Sequence, residues 1–181
     1  RSSPTVMDGT VYVGSADNNV YALDASDGSE QWSFTALDRV MSSPTVMDGT
    51  VYVGSFDNNL YALDASDGSE KWSYSTSGSI TYSSPTVVAD ETSGDSIGSR
   101  VEQGTLGHHG TWAENAKLTA STVYTGSTDN NVYAIDATDG SEKWSYATGD
   151  TVESSPTVVG GTAYVGSYDN SVYAIDAETG S

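Results

Sequence analysis

The chain has 181 residues, with 25 Asp plus Glu against 6 Lys plus Arg and a formal net charge of -19. The cations are scattered, which argues against nucleic acid and anionic membranes as partners, because phosphate contacts need clustered Lys and Arg. Cysteine is absent, so disulfides, thiolate nucleophiles and Cys-ligated metals are excluded. No apolar run reaches the roughly 20 residues of a membrane helix, which predicts no membrane insertion, and no signal peptide is visible.

Leu, Ile, Val and Phe make up about a sixth of the chain, a proportion that beside so much charge favours disorder. Order along the chain overrides that average. Ser-Ser-Pro-Thr-Val occurs at 2–6, 42–46, 83–87 and 154–158, so four copies of one unit are present. The prolines Pro4, Pro44 and Pro85 are 40 and 41 residues apart, and Pro156 follows after 71, one period plus an insertion of about thirty residues. The repeats run 1–40, 41–81, 82–152 with an insertion at about 91–121, and 153–181, all within a single domain 1–181.

In the first copy a short apolar strand follows Ser2-Ser3-Pro4. The turn Met7-Asp8-Gly9 leads to a second strand, Thr10-Val11-Tyr12-Val13-Gly14, where β-branched and aromatic residues favour extended backbone. Asp17-Asn18-Asn19 precedes Val20-Tyr21-Ala22-Leu23-Asp24, and Ser26-Asp27-Gly28 leads to Glu30-Gln31-Trp32-Ser33-Phe34. Asn, Asp and Gly punctuate the runs because they tolerate left-handed backbone and close turns locally. Four short antiparallel strands per period, with no helical segment, predict an all-β fold of β-propeller blades.

The segment from Ala22 to Trp32 resembles the tryptophan-docking motif of quinoprotein-type propellers, A-x-D-x-x-x-G-x-x-x-W. It recurs as Ala62, Asp64, Gly68, Trp72 and as Ala134, Asp136, Gly140, Trp144; the last copy keeps Ala174, Asp176 and Gly180. On these residues the chain is similar to the PQQ-like β-propeller repeat family over about four fifths of its length. The resemblance implies a structural role for Ala22, Gly28 and Trp32 and their counterparts, with the indole packed between blades. A flat ring beside small residues suits the same purpose on physical grounds.

Enzymes of that family hold pyrroloquinoline quinone and calcium on the propeller axis with an Asp base; non-enzymatic members use the ring to bind proteins, and one is the assembly lipoprotein of the bacterial outer-membrane machinery. No isolated Glu, Asn, Asp set departs from the repeat here, so a non-catalytic scaffold for protein or ligand binding is expected, with no cofactor or metal. A fragment of a calcium- and PQQ-dependent dehydrogenase is the alternative. The resemblance implies an extracellular or cell-surface location. Rings of the family usually have about eight blades, and the equivalents of 142–152 are missing from the fourth repeat, which predicts three strands there. A homodimer completing the ring and a longer chain are both open.

Positions that differ among such similar copies carry information. Before the Ser-Ser-Pro triplets stand Arg1, Met41, Tyr82 and Glu153; in the Gly-Ser-x-Asp-Asn turns stand Ala16, Phe56, Thr128 and Tyr168. Propeller topology places both sets on one face. Met41, Phe56, Tyr82, Glu153 and Tyr168 form a candidate binding surface, since exposed aromatics mark interfaces; drift at unconstrained loop positions accounts for the same variation more simply. The recurring Asp17, Asp57, Asp129 and Asp169 could ring a hard cation, although closing their own turns is the expected role.

The insertion carries His108, His109, Trp112, Arg100, Glu102 and Glu114. Zinc binding or acid-base chemistry is conceivable, yet adjacent His side chains in an extended segment point to opposite sides, and no nucleophile accompanies them. A partner-binding or ring-covering segment is the leading expectation. The acid-rich, lysine-poor composition also resembles that of proteins from halophilic organisms, where salt screens self-repulsion.

Overall fold

The computed structural model describes residues 2–89 and 121–181. Its strands follow the repeat. Blade one is β1 (Thr5–Met7), β2 (Thr10–Gly14), β3 (Asn19–Asp24) and β4 (Glu30–Thr35). Blade two is β5 (Thr45–Met47), β6 (Thr50–Gly54), β7 (Asn59–Asp64) and β8 (Glu70–Ser75). Blade three is β9 (Thr86–Ala89), β10 (Ser121–Gly126), β11 (Asn131–Asp136) and β12 (Glu142–Ala147). Blade four holds the expected three strands, β13 (Thr157–Val159), β14 (Thr162–Gly166) and β15 (Val172–Asp176). Each sheet is an antiparallel meander in sequence order. No helix among the described residues is long and apolar enough to cross a membrane.

Turn chemistry sets the hairpins. Asp8 (φ 49°) and Gly9 (φ 79°) both adopt left-handed backbone between Met7 and its partner Thr10, the two-residue turn whose twist matches the flanking strands. Ser121 pairs with Ala89 across β10 and β9, so the chain has rejoined the blade by Ser121, one residue earlier than the insertion bounds expected from sequence. The insertion residues singled out above, from Arg100 to Glu114, lie outside the described residues.

The innermost strands meet through a repeated ladder. Thr5, Thr45 and Thr86 donate from Oγ1 to the carbonyls of Pro44, Pro85 and Pro156 in the next blade, at 2.6, 2.5 and 2.5 Å. This explains why Ser-Ser-Pro-Thr recurs: its polar atoms join adjacent blades.

Apolar clusters fill the spaces between sheets. Between blades one and two lie Val20, Ala22, Trp32, Val51, Val53 and Leu63, all buried. Trp32 sits opposite Ala22 of its own blade, and its Nε1 donates to the Ala65 carbonyl of the next blade at 2.9 Å. The hydroxyl of Tyr12, 5.8 Å from the indole between ring centroids, donates to the same carbonyl at 3.2 Å. Trp72 and Tyr52 repeat this at Ala137, and Trp144 and Tyr124 at Ala177. The polar edges of both buried rings are satisfied, so their burial carries no hydrogen-bonding deficit.

The three indoles lie against the glycines of the following blade. A Cβ on Gly68 would come within 2.6 Å of Trp32, and one on Gly140 or Gly180 within 2.8 Å of Trp72 or Trp144. The motif glycine therefore serves the preceding blade's tryptophan. At Gly28, in blade one, the corresponding space is open.

Candidate functional site

Strand pairing brings the variable positions to one end of the blades. Gly14 lies beside Val20, Asn19 beside Thr35 and Thr5 beside Tyr12, so the β2–β3 turn, the end of β4 and the entry to β1 share a face. Backbone bonds stitch each interblade linker to the next turn: the amides of Phe56, Thr128 and Tyr168 donate to the carbonyls of Arg39, Ser79 and Thr151 at 2.9, 3.0 and 2.9 Å.

The Asp of each turn is occupied by donors. Asp17, Asp57, Asp129 and Asp169 accept through Oδ1 from the amides of Asn19, Asn59, Asn131 and Ser171, at 3.1, 3.0, 3.1 and 2.8 Å. Through Oδ2 they accept the hydroxyls of Tyr21, Tyr61, Tyr133 and Tyr173, at 2.8, 2.8, 2.7 and 2.6 Å. In blades two to four that same oxygen also takes an amide from the preceding linker, Leu37, Ser77 or Gly149, at 2.9, 2.9 and 2.8 Å.

These bonds shift the partners' titration. The tyrosine hydroxyl holds the carboxyls of Asp17 and Asp169 below the usual range, while burial, reinforced by the carboxylate, raises Tyr61 and Tyr133. Each Asp closes its own turn, and Asp57, Asp129 and Asp169 also tie it to the preceding linker. Among the described residues no three of His, Cys, Asp and Glu converge as cation ligands.

Beside the turns lies a continuous row of side chains. The Arg39 guanidinium sits over the Phe56 ring, 4.6 Å from its centroid. Phe56 meets Tyr82 of the next blade edge to face, with centroids 6.1 Å apart and planes at 89°. Thr81, beside Tyr82, donates to Glu153 Oε1 of blade four at 3.3 Å. Tyr168 donates to Glu153 Oε2 at 2.8 Å, and that bond raises the Tyr168 pKa. Tyr82, Glu153, Ser154, Gly166, Tyr168 and Asn170 line an open recess of about 700 Å³.

Four of the five residues expected on this surface thus form one row, with Phe56 and Tyr82 in contact and Glu153 and Tyr168 bonded. Met41 is half-buried and lies outside the recess lining. Arg39 and Thr81 were missed by sequence reasoning, although each is the neighbour of a position that varies among the repeats or lies two residues from it.

Four-stranded antiparallel meanders stacked through their faces, with inner strands adjoining, define a β-propeller, four blades of it here with the last incomplete. The chain belongs to the PQQ-like propeller family whose model, described as outer membrane protein assembly factor BamB, matches residues 1–117 and 89–181. No curated protein matches it in sequence. Among solved structures it is similar to BamB from Moraxella catarrhalis, at 21% identity and a TM-score of 0.71 over 99% of this chain and 47% of that one. Quinohemoprotein alcohol dehydrogenase from Comamonas testosteroni gives 22% identity and a TM-score of 0.70, over 99% of this chain and 33% of that one. The computationally designed Ika4 protein gives 15% identity and a TM-score of 0.64, over 96% of this chain and 91% of that one. The chain spans about half of that BamB and a third of the dehydrogenase.

Proposed function

We propose that this chain is a non-catalytic propeller scaffold of the cell envelope, adapted to high salt, that binds a protein partner through the face bearing Phe56, Tyr82, Glu153 and Tyr168. The observation that carries this reading is the contiguous row from Arg39 to Tyr168, in which Tyr82 and Tyr168 are 49% and 63% exposed. Exposed tyrosines supply apolar contact area with polar handles and are enriched at interface centres, and the carboxylate beside them adds a charged contact. The family description, an outer-membrane assembly factor, supports a protein-binding role and an envelope location.

Two measurements test it. Titration with pyrroloquinoline quinone and calcium is expected to give no saturable binding and no reduction of a redox dye; turnover would establish the dehydrogenase instead. Alanine at Phe56 and Tyr168 together is expected to weaken capture of the native partner, and unchanged capture would exclude this face. A second copy is proposed to complete the ring at the uncovered face of blade four, where Val172 is 78% exposed while its counterparts Val20, Leu60 and Val132 are buried between blades, and at the open space beside Gly28. The native mass tests that assembly: twice the chain mass supports it, and a monomer excludes it.

A further inference from the structure

The recess at Glu153 has a definite chemical preference. Its carboxylate accepts two neutral hydroxyls, from Thr81 and Tyr168, and an ionised carboxylate with about four acceptor sites has capacity for a further donor. Among the described residues no Lys or Arg forms an ion pair with Glu153; the pairs present are Arg39 with Asp38, Lys71 with Asp64 and Lys143 with Asp136. Tyr82 and Tyr168 flank the carboxylate as recess walls, offering ring surface with a negative face.

The same row already holds one guanidinium, since Arg39 stacks over Phe56 at 4.6 Å. We propose that the Tyr82–Glu153–Tyr168 recess is a binding site for an arginine side chain of the partner protein, the guanidinium pairing with Glu153 and stacking on a tyrosine. This rests on the protein-binding reading above and names the partner's chemistry at that face.

Arginine suits the site better than lysine, because a planar guanidinium can stack on a ring and bond a carboxylate at once. A second copy of this chain is a poor source: it has only six Lys and Arg in all. The net charge of -19 would draw a basic segment toward the surface generally, and the recess then selects where an arginine seats.

The test uses the whole chain and a fluorescein-labelled peptide of alternating arginine and glycine, read by anisotropy at about 0.15 M salt. Citrulline and lysine counterparts serve as comparison probes. Glu153→Gln and Tyr82→Ala are each expected to weaken binding about tenfold. Glu178→Gln removes an equal charge at an exposed position outside the recess and is expected to change it less than about twofold. The citrulline peptide should not bind, and the lysine peptide should bind more weakly.

Equal effects of Glu153→Gln and Glu178→Gln would overturn the proposal, as would equal affinity for lysine or no saturable binding by the unaltered chain. Unchanged melting of both recess variants ensures that lost binding reports the site. If the arginine probe fails while loss of Phe56 and Tyr168 still abolishes partner capture, the guanidinium assignment falls and the protein-binding face stands.

Discussion

Trp72 lies so close to Gly140 that a Cβ added there would approach the indole to 2.8 Å, on backbone already at φ 77°. Gly140→Ala is therefore expected to cost roughly 3 kcal/mol, from clash and left-handed strain together. Gly28→Ala shares the strain at φ 75° but meets nothing within 4 Å, and should cost roughly 1 kcal/mol. Urea unfolding of the two variants checks the difference; equal losses would show that the blade interface does not depend on this contact.

Trp72→Ala removes a buried ring and its bond to the Ala137 carbonyl, and is expected to lose about 3–5 kcal/mol. For a unit of four small blades, the last with three strands, that is a large part of the total stability. Thermal unfolding of the variant gives the magnitude.

Gly54 faces Ile80 in the middle of the linker to blade three, where an added Cβ would lie 2.1 Å from Ile80 Cγ2. Both residues are buried. Gly54→Ala should cost about 1–3 kcal/mol by overpacking. Combined with Ile80→Ala, which removes the Cγ2 methyl, it should cost less than the sum of the single changes, and a strictly additive double-mutant cycle would contradict the contact.

Much of this was legible because each repeat meets the same neighbours. Asp8-Gly9 fixed the first hairpin, the Ser-Ser-Pro-Thr run marked the inner strand, and the copy lacking its tryptophan proved to be the blade with three strands. Contacts set by the spacing between blades were not legible. The indole of Trp32 bonds Ala65, an unspecified position within the next repeat's motif, and lies on the glycine of that repeat rather than its own. Arg39 over Phe56 was equally hidden, since a scattered cation gives no pattern until the linker brings it across a turn.

Acid should destabilise the fold. The Ser66 hydroxyl and amide, with Lys71, lower the Asp64 pKa from 3.8 to about 2, and Asp24, Asp67, Asp139 and Asp176 are lowered by similar turn bonds. Above 3.8 these carboxylates are ionised in both states and contribute fully; as pH falls toward about 2 the unfolded chain takes up protons first, and the contribution is lost. The urea midpoint should fall across that window. A level midpoint would contradict the turn hydrogen bonds.

With a net charge of -19, removing salt lengthens the range of repulsion among the acidic turns. The melting temperature is expected to fall between molar and millimolar salt. No change would count against salt adaptation.

The central claim, a protein-binding face at the variable loops, is tested most directly by site-specific photo-crosslinking in native envelopes. Benzoylphenylalanine replaces Phe56 or Tyr168 on that face, or Ser66 in the β7–β8 turn at the opposite end. Adducts to a discrete protein from positions 56 and 168, and none from 66, are predicted; adducts from 66 alone, or from none of the three, would contradict the account.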